Sequence, residues 1–147
     1  MKTIAITIAM SVAWAPVAVK AEAIFAVSCA GTMTADINGA SPKSRTTTRT
    51  YVIDPERQTA SYFNPEIGKA FELCRSWIYL PCRNKFWPHT IQIWSEGKTG
   101  SSMLFSLNRE TGAVWDSAGS LEVGFERFDG ICERAQIPMA DVSRNRF

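Results

Sequence analysis

The chain has 147 residues, with 16 Lys and Arg against 14 Asp and Glu, a formal net charge of +2. That near-neutral balance excludes a polyanion binder working by net charge, and the length suits one domain with a single core. Four cysteines and one histidine leave little for metal or thiol chemistry.

The first 23 residues read as a cleaved signal peptide. Lys2 gives a positive start, an uncharged run follows from Thr3 to Val19, and Ala21-Glu22-Ala23 offers small residues where a signal peptidase reads them. A cut after Ala21 is the alternative. The competing reading is an uncleaved anchor, but the run lies at the lower edge of the spanning range and Pro16 interrupts it. Ala26-Val27-Ser28-Cys29 has the outline of a lipid-attachment box, but Lys20 and Glu22 separate it from the apolar run and Ala26 stands where Leu is usual. A cut after Ala23 leaves 124 residues as a single domain, 24–147, with 14 cations against 13 anions. No later segment is apolar for long enough to cross a bilayer.

In the remainder the hydrophobic period is two. Phe25, Val27, Cys29, Gly31 and Met33 alternate with smaller or polar residues and predict a strand with one buried face. A turn at Asp36-Ile37-Asn38-Gly39 leads to a Thr-rich strand over Arg45 to Asp54. Asp54-Pro55-Glu56-Arg57 turns the chain into a strand from Thr59 to Phe63. Asn64 to Gly68 turns again, before a strand holding Phe71 and Leu73. Arg75 to His89 carries Pro81 and Pro88 and reads as a long structured loop. Strands are then expected at Thr90–Trp94, Ser102–Leu107, Ala113–Asp116 and Leu121–Glu126. Asn108-Arg109-Glu110-Thr111-Gly112 forms a hairpin loop, with Gly where a left-handed residue is needed. Ser117 to Ser120 reads as a turn, and a loosely held tail begins at about residue 134. About eight short strands with tight turns indicate an all-β domain, a small antiparallel barrel or sandwich.

An even number of cysteines in an exported chain reads as disulfides. Of three pairings, Cys74–Cys82 and Cys29–Cys132 are favoured: the first pair is close in sequence, and the second ties the first strand to the last, which favours closure of the sheet. Free thiols or a zinc site would compete, but there is no C-x-x-C and His89 stands alone.

The layout Phe25-x-x-x-Cys29-x-Gly31, Tyr51-x-Ile53-Asp54, Asn108-Arg109-x-Thr111-Gly112 and Gly130-x-Cys132 resembles small exported proteobacterial proteins of unknown function. The resemblance implies a periplasmic or secreted setting in a bacterium. In outline the chain is also similar to periplasmic inhibitors of c-type lysozyme, which are small disulfide-bearing β-barrels. Ser95-Glu96-Gly97-Lys98 has the residue types of their inhibitory motif without its flanking pattern, so no residue role is carried over.

The densest unusual stretch is Arg75 to Trp94. Trp77, Tyr79, Phe86, Trp87 and His89 are interleaved there with Arg83 and Lys85, a composition that suits ligand or partner binding. The competing reading packs these rings into the core, where a domain of this size needs them. His89 has no nucleophile beside it in any motif, and thiols held in disulfides cannot attack. Glu122 and Glu126 read as the solvated face of a strand. The first functional expectation is a binding module for a protein or cell-envelope ligand, a hydrolase inhibitor being one case. A carrier of a small apolar ligand in the barrel is the alternative, and an enzyme without a recognisable motif ranks third. No cofactor, metal or nucleic-acid partner is implied.

Overall fold

A computed structural model describes residues 22–37, 40–74, 81–97 and 100–139. Among the described residues there are nine strands and no helix: β1 (Phe25–Asp36), β2 (Lys43–Asp54), β3 (Thr59–Asn64), β4 (Lys69–Glu72), β5 (Cys82–Phe86), β6 (Thr90–Glu96), β7 (Ser102–Asn108), β8 (Ala113–Ser120) and β9 (Gly124–Ala135). They form one antiparallel sheet in the order β4-β3-β2-β1-β9-β8-β7-β6-β5. The sheet is therefore two meanders, β1–β4 and β5–β9, joined by the pairing of the first strand with the last. That ladder runs from Ala26 opposite Ala135 to Asp36 opposite Phe125, with Cys29 facing Cys132. Gly31 faces Gly130 in the same ladder, and a Cβ on Gly31 would overlap the Asp129 carbonyl, so the close approach needs glycine there.

The sheet curls into a half-barrel around one core. Phe25, Val27, Cys29 and Met33 of β1 turn inward, as do Tyr51 and Ile53 of β2, Ile91 and Ile93 of β6, and Met103, Phe105 and Leu107 of β7. Tyr51 and Phe105 have ring centres 4.9 Å apart. Four strand spacings separate β2 from β7, about 19 Å in a flat sheet, so only curling brings the two rings together. Each such ring removed from water contributes roughly 1.5–3 kcal/mol.

Both expected disulfides form, Cys29–Cys132 and Cys74–Cys82. They act at different places. Cys29–Cys132 joins β1 to β9 at the middle of the sheet, so the sheet edges are β4 and β5. Cys74 follows β4 and Cys82 opens β5, so the short bridge holds these two edges together. Asn84 of β5 adds a side-chain hydrogen bond to the Gln58 carbonyl in the β2–β3 turn, at 2.6 Å.

The expected all-β antiparallel domain is borne out as a single curled sheet, a half-barrel, with nine strands among the described residues where about eight were expected. Several local expectations are corrected. The extra strand is β5, inside the stretch read as loop: its Arg83, Asn84 and Lys85 are exposed, as suits an edge, and hide the alternation of Cys82 and Phe86. β8 continues through Ser117–Ser120, where a turn was expected. Leu121 to Val123 is a turn, with Leu121 and Val123 70% and 67% exposed, and β9 starts only at Gly124, whose φ is 98°. The inward face of β9 thus carries Phe128 and Cys132, not Leu121 and Val123. Glu126 shares that inward phase and lines a cleft with Arg49 and Asp116, but it is exposed, as expected. Arg134 and Ala135 of the expected tail belong to β9, and residues 140–147 lie outside the described residues.

Removing the long bridge by Cys29→Ala with Cys132→Ala is expected to cost up to about 5 kcal/mol, against about 2.5 kcal/mol for Cys74→Ser with Cys82→Ser. Urea unfolding of the two double variants measures both; an equal or larger loss for the short bridge would contradict the chain-entropy account.

Candidate functional site

One rim of the half-barrel gathers the start of β1, the end of β9 and two turns. The β7–β8 turn is fixed by its own side chains. Asn108 Oδ1 accepts hydrogen bonds from the backbone N–H of Glu110 and of Thr111, both at 2.9 Å, and Gly112 takes a φ of 75°. The Gly112 carbonyl then accepts the Cys132 N–H at 2.8 Å, and a Cβ on Gly112 would strike the Cys132 carbonyl. The expected role of Gly112 as the left-handed residue of this loop therefore holds. The β5–β6 turn, Trp87-Pro88-His89, is tied to it. The His89 carbonyl accepts the Arg109 N–H at 2.9 Å, and His89 Nδ1 lies 2.6 Å from Glu110 Oε1.

Between these parts lies a cleft of about 350 Å³, lined among others by Phe25, Val27, Pro88, Leu107, Arg109 and Arg134. The Arg134 guanidinium sits 3.8 Å from the Phe25 ring centre and that of Arg109 5.7 Å from it. Both face the carboxylate of Glu22: Arg109 donates to it, and Arg134 lies 3.9 Å away. Val27 opposite Arg134 in the β1–β9 ladder sets this meeting. Two cations held on a ring with a carboxylate between them form an anion-recognition geometry.

The residues singled out in the sequence fall into three groups. Arg83, Lys85 and Trp87 are exposed; Lys85 Nζ lies 5.4 Å from the Trp87 ring centre, and Trp87 is 42% exposed. Phe86 packs against the core, and His89 is exposed and paired with Glu110. Trp77 and Tyr79 lie outside the described residues. The composition did not single out Phe25, Arg109 and Arg134. Phe25 reads as core, Arg109 as part of a turn and Arg134 as part of the tail. Their meeting depends on the β1–β9 register.

A second polar cluster is inside the curl. Arg49 Nη1 donates to Asp116 Oδ2 at 2.6 Å, and the Tyr51 hydroxyl donates to the same oxygen at 2.6 Å. The Arg49 guanidinium is 5.3 Å from the Tyr62 ring centre and 5.2 Å from that of Phe128. A smaller cleft of about 210 Å³ opens beside it. The strand period carried a signal for this cluster, since Arg49 shares the inward phase of Tyr51 and Ile53, and Asp116 that of Val114. Burial works against the Arg49 charge, but Tyr51 and Asp116 outweigh it and raise its pKa. Burial first, and the Asp116 charge second, push the ionisation of Tyr51 upward.

Two outcomes follow for stability. Asp116→Ala leaves the half-buried Arg49 charge without its partner and is expected to cost about 3 kcal/mol, the lower end for a buried pair. The Tyr51 phenol ionises at higher pH folded than unfolded, so its contribution is complete below about pH 10, the ordinary tyrosine value, and is lost as pH rises above it. Thermal unfolding from pH 8 to pH 11 should show a fall in Tm above about pH 10 that is shallower in Tyr51→Phe. Parallel curves would contradict it.

No protein-family model matches this chain, and no curated protein matches it either, so the functional reading stands on the chain's own residues and geometry.

Proposed function

We propose that the chain is exported and acts in the periplasm or outside the cell as a binding module, recognising a protein or cell-envelope ligand through the rim around Trp87, Arg109 and Arg134. Inhibition of a hydrolase is one form such recognition takes. The observation that carries the reading is the concentration of cations on aromatic rings at one rim: Arg109 and Arg134 on Phe25, and Lys85 on the exposed Trp87. Rings with adjacent cations supply contact area and orient an anionic or carbonyl group, and turns on a rigid sheet are where recognition usually sits. Two disulfides support the extracytoplasmic setting. Among the described residues no helix is long and apolar enough to cross a membrane.

The alternative, a carrier of a small apolar ligand, needs an apolar chamber. Tyr51, Phe105, Phe128 and Ile53 fill the curl, and the cleft left beside them contains the Arg49–Asp116 ion pair. This favours recognition at the rim over carriage in the interior.

The test is capture from envelope extracts on the oxidised protein beginning at Ile24, with bound proteins quantified for wild type, Trp87→Ala and Lys85→Glu. The expected result is one partner reduced about tenfold or more in both variants, with the melting temperature shifted by less than about 3 °C. Large unfolding of Trp87→Ala would assign that ring to the core, and capture unchanged in both variants would remove Lys85 and Trp87 from the binding surface.

A further inference from the structure

We infer that the arginine pair beside the rim cleft is a carboxylate site, that Glu22 occupies the pair while the leader is attached, and that removal of the leader through Ala23 frees it for an acidic side chain of a partner protein. The inference rests on the binding-module reading and on that cut. It deepens both by naming the chemistry recognised and the event that exposes the site.

Glu22 is the observation that points to the ligand. It lies just ahead of β1, outside any strand, and its carboxylate reaches Arg109 and Arg134 together. The occupant is therefore a glutamate side chain on an irregular stretch of polypeptide, which defines an acidic peptide segment as the ligand. The receiving groups do not depend on it. Arg109 is held by the Asn108 turn and by the bond from its N–H to the His89 carbonyl. Arg134 is held in β9, and both guanidiniums rest against the buried ring of Phe25. A fork of donors already in place loses less freedom on binding than a free arginine would.

The other acids at the cleft leave this pair available. Glu110 is engaged by His89, and although Glu133 also borders the cleft, it is Glu22 that the two arginines meet. Loss of Glu22 removes one negative charge from the site and no cation. The cleft beside the pair, about 350 Å³ with Glu22 in place, gives room for the backbone that flanks a bound acidic side chain. The new N-terminus at Ile24 would lie next to Phe25, so the cut changes the site directly.

The experiment compares two oxidised proteins, one beginning at Ile24 and one beginning at Ala21, which keeps Glu22. The probe is the peptide acetyl-Lys-Ala-Glu-Ala-Ile-amide labelled for fluorescence anisotropy, with its Gln counterpart as control. The Ile24 form is expected to bind the Glu peptide about tenfold or more tightly than the Gln peptide. The form that keeps Glu22 should bind it about tenfold more weakly, and so should Arg134→Gln in the Ile24 form. Arg134 is 65% exposed, so its replacement is expected to leave folding intact, and the melting temperature checks this. Equal binding of the two peptides, or equal binding by the two protein forms, overturns the inference. The N-terminal sequence of the exported protein is read separately: Ile24 supports opening by the cut, and an uncut or Ala21-cut product that keeps Glu22 overturns it. Envelope capture with Arg134→Gln separates the two readings. If that variant loses the peptide but keeps the partner, the carboxylate site stands and its use for the partner falls. If it keeps the peptide, the site assignment itself is overturned.

Discussion

The structure depends on the pairing of the first strand with the last. β1 and β9 meet in the middle of the sheet, over a ladder from Ala26–Ala135 to Asp36–Phe125, and the Cys29–Cys132 bridge fixes its register. Without that pairing there would be two separate meanders, each with its inward face in water. With it, Tyr51 of β2 reaches Phe105 of β7, and Arg49 of β2 reaches Asp116 of β8. The ladder closes a long loop late in chain order, so the entropic cost of its formation is large, and the bridge lowers that cost most where the loop is longest.

The same pairing builds the rim. Phe25 opens β1 and Arg134 lies near the end of β9, so the antiparallel register brings them side by side. The β7–β8 turn joins them because the Gly112 carbonyl accepts the Cys132 N–H, which delivers Arg109. The interior and the rim use cations differently. Arg49 is enclosed by rings and by Asp116, where its partner is fixed. Arg109 and Arg134 stand at the mouth, where their partner is Glu22, just ahead of β1. Only the second arrangement can exchange its carboxylate without disturbing the core.

The sequence made much of the fold legible. Alternation at Phe25, Val27, Cys29 and Met33 identified the inner face of β1, and the Asn108 to Gly112 pattern identified the β7–β8 turn. The cysteine pairing followed from compartment and spacing. What was hidden has physical causes. β5 is an edge strand whose solvent side is polar, so its period is masked by Arg83 and Lys85. The turn from Leu121 to Val123 exposes two apolar side chains, which mimics a buried face. For the site, composition found Lys85 and Trp87 at the rim. It could not find Phe25, Arg109 and Arg134, which come from three distant segments and meet only through the register of β1 against β9 and the bond between Gly112 and Cys132.

The most direct measurement is a crystal structure of the oxidised protein beginning at Ile24. The account predicts that Val27 stays opposite Arg134, that the guanidiniums of Arg109 and Arg134 remain against the Phe25 ring, and that the cleft is open between them. Collapse of both arginines onto Glu110 and Glu133, with the cleft closed or the β1–β9 register shifted, would contradict it.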